Sequence, residues 1–228
     1  MRRTMRLYWF IGVVLANVCV IPFLGQYRVM PGKTDPANTA DCLPQTPARI
    51  CLGATGTEHC YALPSDNDFI FGLESRAIPV GQLDGLELTL FTATYSGCGS
   101  GTVTKFALLT VRNGEFVNLL PSVELSNQSD YKFWSLPEFS SLPVLVTADY
   151  IWNHEDIKKS NFIEETHSAP HRYRVNAYVY DDKSSRYLLK VHFDTAKMYS
   201  GVQDAEEINI VDAEKTVILA KLKQNRTY

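Results

Sequence analysis

From Phe69 onward, apolar and polar positions alternate in runs separated by turn residues. Five runs have the period of two expected of β-strands: LELTLFTATY (86–95), TVTKFALLTVR (102–112), VLVTADYIW (144–152), HRYRVNAYVYD (171–181) and RYLLKVHFDT (186–195). Asn113-Gly114 between two apolar runs is a hairpin signal, and DDKSS (181–185) reads as a longer hairpin loop. In the last pair, Tyr173, Val175, Ala177 and Val179 alternate with Arg174, Asn176, Tyr178 and Tyr180. Tyr187, Leu189, Val191 and Phe193 alternate with Leu188, Lys190, His192 and Asp194. Side chains point to opposite faces along a strand, so the first set of each strand is expected in the core. The second set is expected on a wetter face, with His192 solvated.

The chain closes with EEINIV (206–211), which reads as a last strand, followed by DAEKTVILAKLKQ. Asp212 suits an N-cap, and Ile218, Leu219 and Leu222 form one apolar stripe. Lys221 and Lys223 lie where cations favour a helix C-terminus. A short helix docked on the sheet is expected.

Two segments share an order of strand, loop, long strand, hairpin turn and strand. Thr92-Ala93-Thr94-Tyr95 aligns with Thr147-Ala148-Asp149-Tyr150. Ala107, Leu109 and Val111 align with Val175, Ala177 and Val179. The likeness is weak enough to arise from β-periodicity alone. Two units are too few for a propeller ring, and neither a WD dipeptide nor a D-x-D-x-D-G loop is present. The expected fold is mainly β: an antiparallel sandwich or twisted open sheet built from two hairpin or meander units, with a short C-terminal α-helix.

Outside this region the pattern changes. MRRTMR precedes the uncharged run LYWFIGVVLANVCVIPFL (7–24), so residues 1–24 read as a signal peptide or an N-terminal membrane anchor. Residues 25–68 are rich in Pro, Gly and Cys, and read as a linker leading into an irregular stapled cap. Residues 69–228 read as a single β-domain. Cys42, Cys51, Cys60 and Cys98 follow the apolar run, and an exported chain would oxidise them. Of three possible pairings, Cys51 with Cys60 and Cys42 with Cys98 is the expected one. The formal charge is −3, with three arginines in the leader, so the remainder is mildly acidic. Nucleic acid, which requires a clustered basic face, is not an expected partner.

Candidate chemistry gathers in two loops. The first is SGCGSG (96–101), whose Gly97 and Gly99 allow tight turns. It lacks the Lys-Ser/Thr pair and following helix of a phosphate loop, and no His adjoins Cys98 to activate a thiolate. The second, NHEDIKKSNFIEETHSAP (153–170), is long for a β-connection. If the two units correspond, both loops leave one edge and wall a cleft floored by Tyr95, Tyr150 and Trp152. The expected ligand-binding set is Tyr95, Gly97, Gly99, Asp149, Trp152, His154, Glu164, His167 and His171. A metal alternative uses His167, His171 and Glu164, although Pro170 interrupts the H-x3-H helix spacing and H-E-x-x-H is absent.

The aromatic segment 119–145 carries Tyr131, Phe133, Trp134 and Phe139 among three prolines, and reads as an irregular connection closing one end of the core. No G-x-S-x-G elbow is present. These features favour an extracytoplasmic, non-enzymatic binding module at the cell envelope, with no cofactor. Its ligand would be a protein, a glycan or a small molecule. A metal- or carboxylate-dependent hydrolase using the 153–171 loop and a structural envelope protein are the alternatives.

Overall fold

The computed structural model describes residues 27–30, 47–54, 56–64, 71–96, 102–126, 128–151, 170–199 and 209–225. Its strands are β1 (Arg28–Met30), β2 (Arg49–Leu52), β3 (His59–Ala62), β4 (Phe71–Leu83), β5 (Leu86–Ser96), β6 (Thr102–Arg112), β7 (Glu115–Asn118), β8 (Val123–Ser126), β9 (Asp130–Trp134), β10 (Val144–Ile151), β11 (Arg172–Asp181) and β12 (Arg186–Asp194). Two helices follow, α1 (Ile210–Ala213) and α2 (Lys215–Gln224). The strands form three antiparallel sheets: β1-β2-β3, then β4-β5-β6-β7 with β8 also on β6, and β12-β11-β10-β9.

Three cores separate four layers. The small sheet covers one face of the five-stranded sheet through Ile50 and Leu63, against Phe91, Ala93, Tyr95, Ala107 and Leu109. The opposite face of that sheet, with Leu88, Leu90, Phe106 and Leu108, packs on Leu145, Tyr178, Tyr180 and Tyr187 of the four-stranded sheet. The outer face of the four-stranded sheet, with Val146, Ala148, Val175 and Ala177, is covered by Ile210, Val211, Ile218 and Leu222. Strand alternation explains how one strand feeds two cores: Leu88 and Leu90 face one neighbour, while Phe91, Ala93 and Tyr95 face the other.

The expected strands at 86–95, 102–112, 144–152, 171–181 and 186–195 are present within a residue or so at their ends. Asn113 and Gly114 have φ of 53° and 82° between the paired Arg112 and Glu115, the two positive values of a type I′ turn. Asp84-Gly85 makes the same turn between β4 and β5, with φ of 52° and 77°.

Other expectations are corrected. Ile210 and Val211 are helical rather than the end of a strand, and both are fully buried. The Val211 amide donates to Asp130 Oδ2 at 3.1 Å, which fixes the first turn against β9. Asp212 lies inside α1 rather than at a cap, and its carboxylate pairs with Lys132 Nζ at 2.6 Å. The described parts of 25–68 are a regular small sheet, not an irregular cap. Segment 119–145 contains β8 and β9, whose hydrogen bonds override its prolines and serines, and its rings are part of the cores.

Beyond the named runs lies β4, which tolerates Pro79 because it is an edge strand with register shifts at 72–74 and 79–81. In β12, a bulge opposite Ala177 and Tyr178 leaves Lys190 without a register partner. Tyr187 therefore faces the inter-sheet core, away from Val191 and Phe193, and Leu189 is 48% exposed. Tyr178 and Tyr180, placed by simple alternation on the wetter face, are buried in that same core.

Cys51 and Cys60 are directly opposed across β2 and β3 and form a disulfide. Cys42 and Cys98 lie outside the described residues, as does the apolar run 7–24. A bridge of this kind accords with an oxidising compartment. Among the described residues no helix is long and apolar enough to cross a membrane.

Candidate functional site

Strand pairing and side-chain hydrogen bonds tie three strand ends together. Val103, near the start of β6, pairs with Ser126 at the end of β8. Ser126 donates to Asp149 Oδ1 near the end of β10, from its amide at 2.9 Å and its hydroxyl at 2.7 Å. The Ser129 hydroxyl donates to the same oxygen at 2.7 Å. Asp149 therefore closes the β8–β9 connection, where Gln128 adopts φ of 66°. These ends border the runs 97–101 and 152–169. Gly97, Gly99, Trp152, His154, Glu164 and His167 belong to those runs and lie outside the described residues.

Toward this end the facing sides of the two larger sheets turn polar. On the five-stranded sheet, Thr94 and Thr104 share a hydrogen bond at 2.9 Å beyond the apolar pair Leu90 and Leu108. On the four-stranded sheet, Arg174 forks onto Asp194, with Nε to Oδ1 at 2.9 Å and Nη2 to Oδ2 at 3.3 Å. The hydrogen bond to Asp194 pushes the Arg174 pKa up, keeping its charge fixed. Beside it, His192 Nδ1 and Asn176 Oδ1 are 2.7 Å apart. Arg174, His192 and Asp194 are exposed, as the alternation of 171–195 requires. The platform offers donors and acceptors that are held in place by one another.

Tyr95, Tyr150 and His171 are instead packed in the cores. Tyr95 is 1% exposed, and its hydroxyl accepts from the Ala48 amide at 3.4 Å. Tyr150 stacks on His171 with ring centroids 4.2 Å apart. His171 is 3% exposed, so it differs from a solvated loop histidine, and its Nε2 lies 3.1 Å from the Tyr173 hydroxyl. Its backbone bridges to Tyr199, whose hydroxyl donates to Glu214 at 2.8 Å. Burial first, and then the Glu214 carboxylate, push the Tyr199 pKa up, so the phenol stays protonated. Among the described residues no three His, Cys, Asp or Glu side chains gather around a common point.

A separate pocket of about 200 Å³ lies between the small sheet and the β7–β8 side of the five-stranded sheet. Tyr61, Leu63, Pro64, Lys105, Asn118 and Glu124 contribute to its wall. The sequence carried a signal for it. Lys105 falls between Val103 and Ala107 on the alternation that otherwise points into the core, an unusual place for an ammonium. Set against family models, curated proteins and solved structures, the chain has no match.

Proposed function

We propose that the protein is an exported, non-enzymatic binding module whose contact surface is the loop-bearing end of its two larger sheets. The observation that carries this reading is the Val103–Ser126–Asp149 linkage. It puts the strand ends bordering both candidate loops beside one another, next to the polar platform of Arg174, Asn176, His192 and Asp194. Binding sites favour loops carried on a rigid scaffold, and three cores supply that rigidity here. The Cys51–Cys60 bridge and the leader pattern support export. A protein, glycan or small-molecule ligand of the cell envelope is the class of partner proposed.

The test compares the full chain with a variant lacking 155–166, both made in an oxidising compartment. Each is immobilised and exposed to envelope extracts and to a glycan array. The deletion is expected to keep the melting temperature while losing whatever the native chain captures. Arg174→Ala, on the described platform, is expected to weaken the same capture. Undiminished capture by both variants overturns the choice of surface. A phosphatase reporter that stays inactive when fused after residue 30 overturns export.

A further inference from the structure

The pocket beneath the small sheet has a chemistry of its own, independent of the loop-bearing end. Lys105 is 4% exposed, and its Nζ lies 3.1 Å from Glu124 Oε1 on the neighbouring strand. The partners differ in depth, because the Glu124 side chain is 40% exposed. Asn118 is held at both ends of its amide: its Oδ1 accepts the amides of Leu108 and Leu120, each at 3.1 Å, and its Nδ2 donates to the Tyr61 hydroxyl at 3.1 Å. That bond fixes the orientation of the phenol. Tyr61 Oη accepts from Asn118, and its own proton has no acceptor among the described residues. Burial pushes the Tyr61 pKa up, so this proton is retained at neutral pH.

Lys105 and the oriented Tyr61 therefore line one small cavity, with Leu63 and Pro64 supplying apolar wall. Stability gives little reason to keep such an ammonium, since apolar replacement of a buried ion pair is often neutral or stabilising. We infer that this pocket is a binding site for a small organic carboxylate. The ligand carboxylate takes the place of Glu124 on Lys105 and accepts a second hydrogen bond from Tyr61. Glu124, being at the rim, turns to water at little cost. The hydrocarbon part of the ligand lies against Leu63 and Pro64. A volume of about 200 Å³ falls below the roughly 300–1,000 Å³ of drug-sized sites, so the ligand is small.

The test is calorimetric titration of the oxidised full chain with benzoate and butyrate, each against its uncharged amide. Saturable binding of a carboxylate, with none for the matching amide, is the expected result. Lys105→Met, which keeps the length of the side chain, is expected to weaken binding by about tenfold or more, the loss typical of a charge-assisted hydrogen bond. Tyr61→Phe is expected to weaken it less and serves as the second probe should the Lys105 variant not fold. Glu124→Gln removes the competing carboxylate and is expected to tighten binding, an effect a merely structural ion pair does not produce. The proposal is overturned if neither carboxylate binds, or if amides bind as well. It is also overturned if Lys105→Met and Tyr61→Phe both leave affinity unchanged, or if Glu124→Gln weakens binding.

Discussion

The unit β5-β6-β7 and the unit β10-β11-β12 each run as a strand, a long strand after an intervening run, a turn and a third strand, yet they are embedded differently. The first is covered on both faces, by the small sheet and by the four-stranded sheet. The second has the helices on one face and an inner face that is only partly covered. Aligned residues nonetheless keep the same facing. Ala93 and Ala148 are both fully buried on the outer side of their sheets, as are Tyr95 and Tyr150. Thr94 and Asp149 both face inward near the ends of β5 and β10. Ala93 pairs with Lys105, whereas Ala148 pairs with Val175, which aligns with Ala107. The two registers therefore differ by two residues. An even shift preserves faces, whereas a shift of one would have turned each core residue outward. Covering decides what each position then becomes: Phe106 and Leu108 are sealed in the inter-sheet core, whereas Arg174 and Asn176, which align with them, belong to the polar platform.

The comparison can be broken most severely at Asn118, which ends the first unit. Asn118→Ala leaves the Leu108 and Leu120 amides without their acceptor, and Leu108 is fully buried. A loss of about 2–4 kcal/mol is expected, read by urea denaturation. At the second unit, Asp149→Ala removes the acceptor of three donors from Ser126 and Ser129. This end is partly exposed and water can replace the carboxylate, so a smaller loss of about 1–2 kcal/mol is expected in the same measurement. Equal losses would mean that covering does not separate the units.

Asp130 tests the cover over the second unit. Burial, ahead of the opposing effects of the Val211 amide and Lys132, raises its pKa. The folded state thus holds this proton more tightly than the unfolded chain does. The contribution of Asp130 to stability is most favourable below the ordinary carboxylate pKa and declines as pH rises toward its raised folded value. Asp130→Asn lacks this decline and keeps an oxygen for the Val211 amide. Its melting temperature relative to the native chain is expected to rise between pH 3 and pH 7; a difference that falls over that range would reverse the sign. The smallest effect is expected at Thr147, which is fully buried with a hydroxyl that has no partner among the described residues. Thr147→Val is expected to stabilise by about 1 kcal/mol, detectable as a higher melting temperature.

Much of the fold was legible because an antiparallel sheet writes its period into the chain. The five expected strands, the Asn113-Gly114 turn and the stripe of Ile218 and Leu222 are local patterns, and Cys51 with Cys60 is a short-range pairing. The candidate site was legible only in part. Asp149 was singled out as a ligand-facing group, and its part as the acceptor that binds β8 to β10 was not legible. His171 and Tyr95 carry polar atoms and adjoin loops, which drew them into the expected set, while a stacked tyrosine and a distant amide hold them in the core.

The sequence by itself therefore determined which residues alternate, where the chain turns and which segment becomes a surface helix, since these depend on neighbours along the chain. Tertiary structure decided which of two faces met another layer. It brought Ser126 onto Asp149, Tyr61 over Asn118 and Glu124 beside Lys105, contacts between residues 23, 57 and 19 positions apart. Such contacts depend on how whole sheets stack, and alternation within a strand carries no record of what lies opposite.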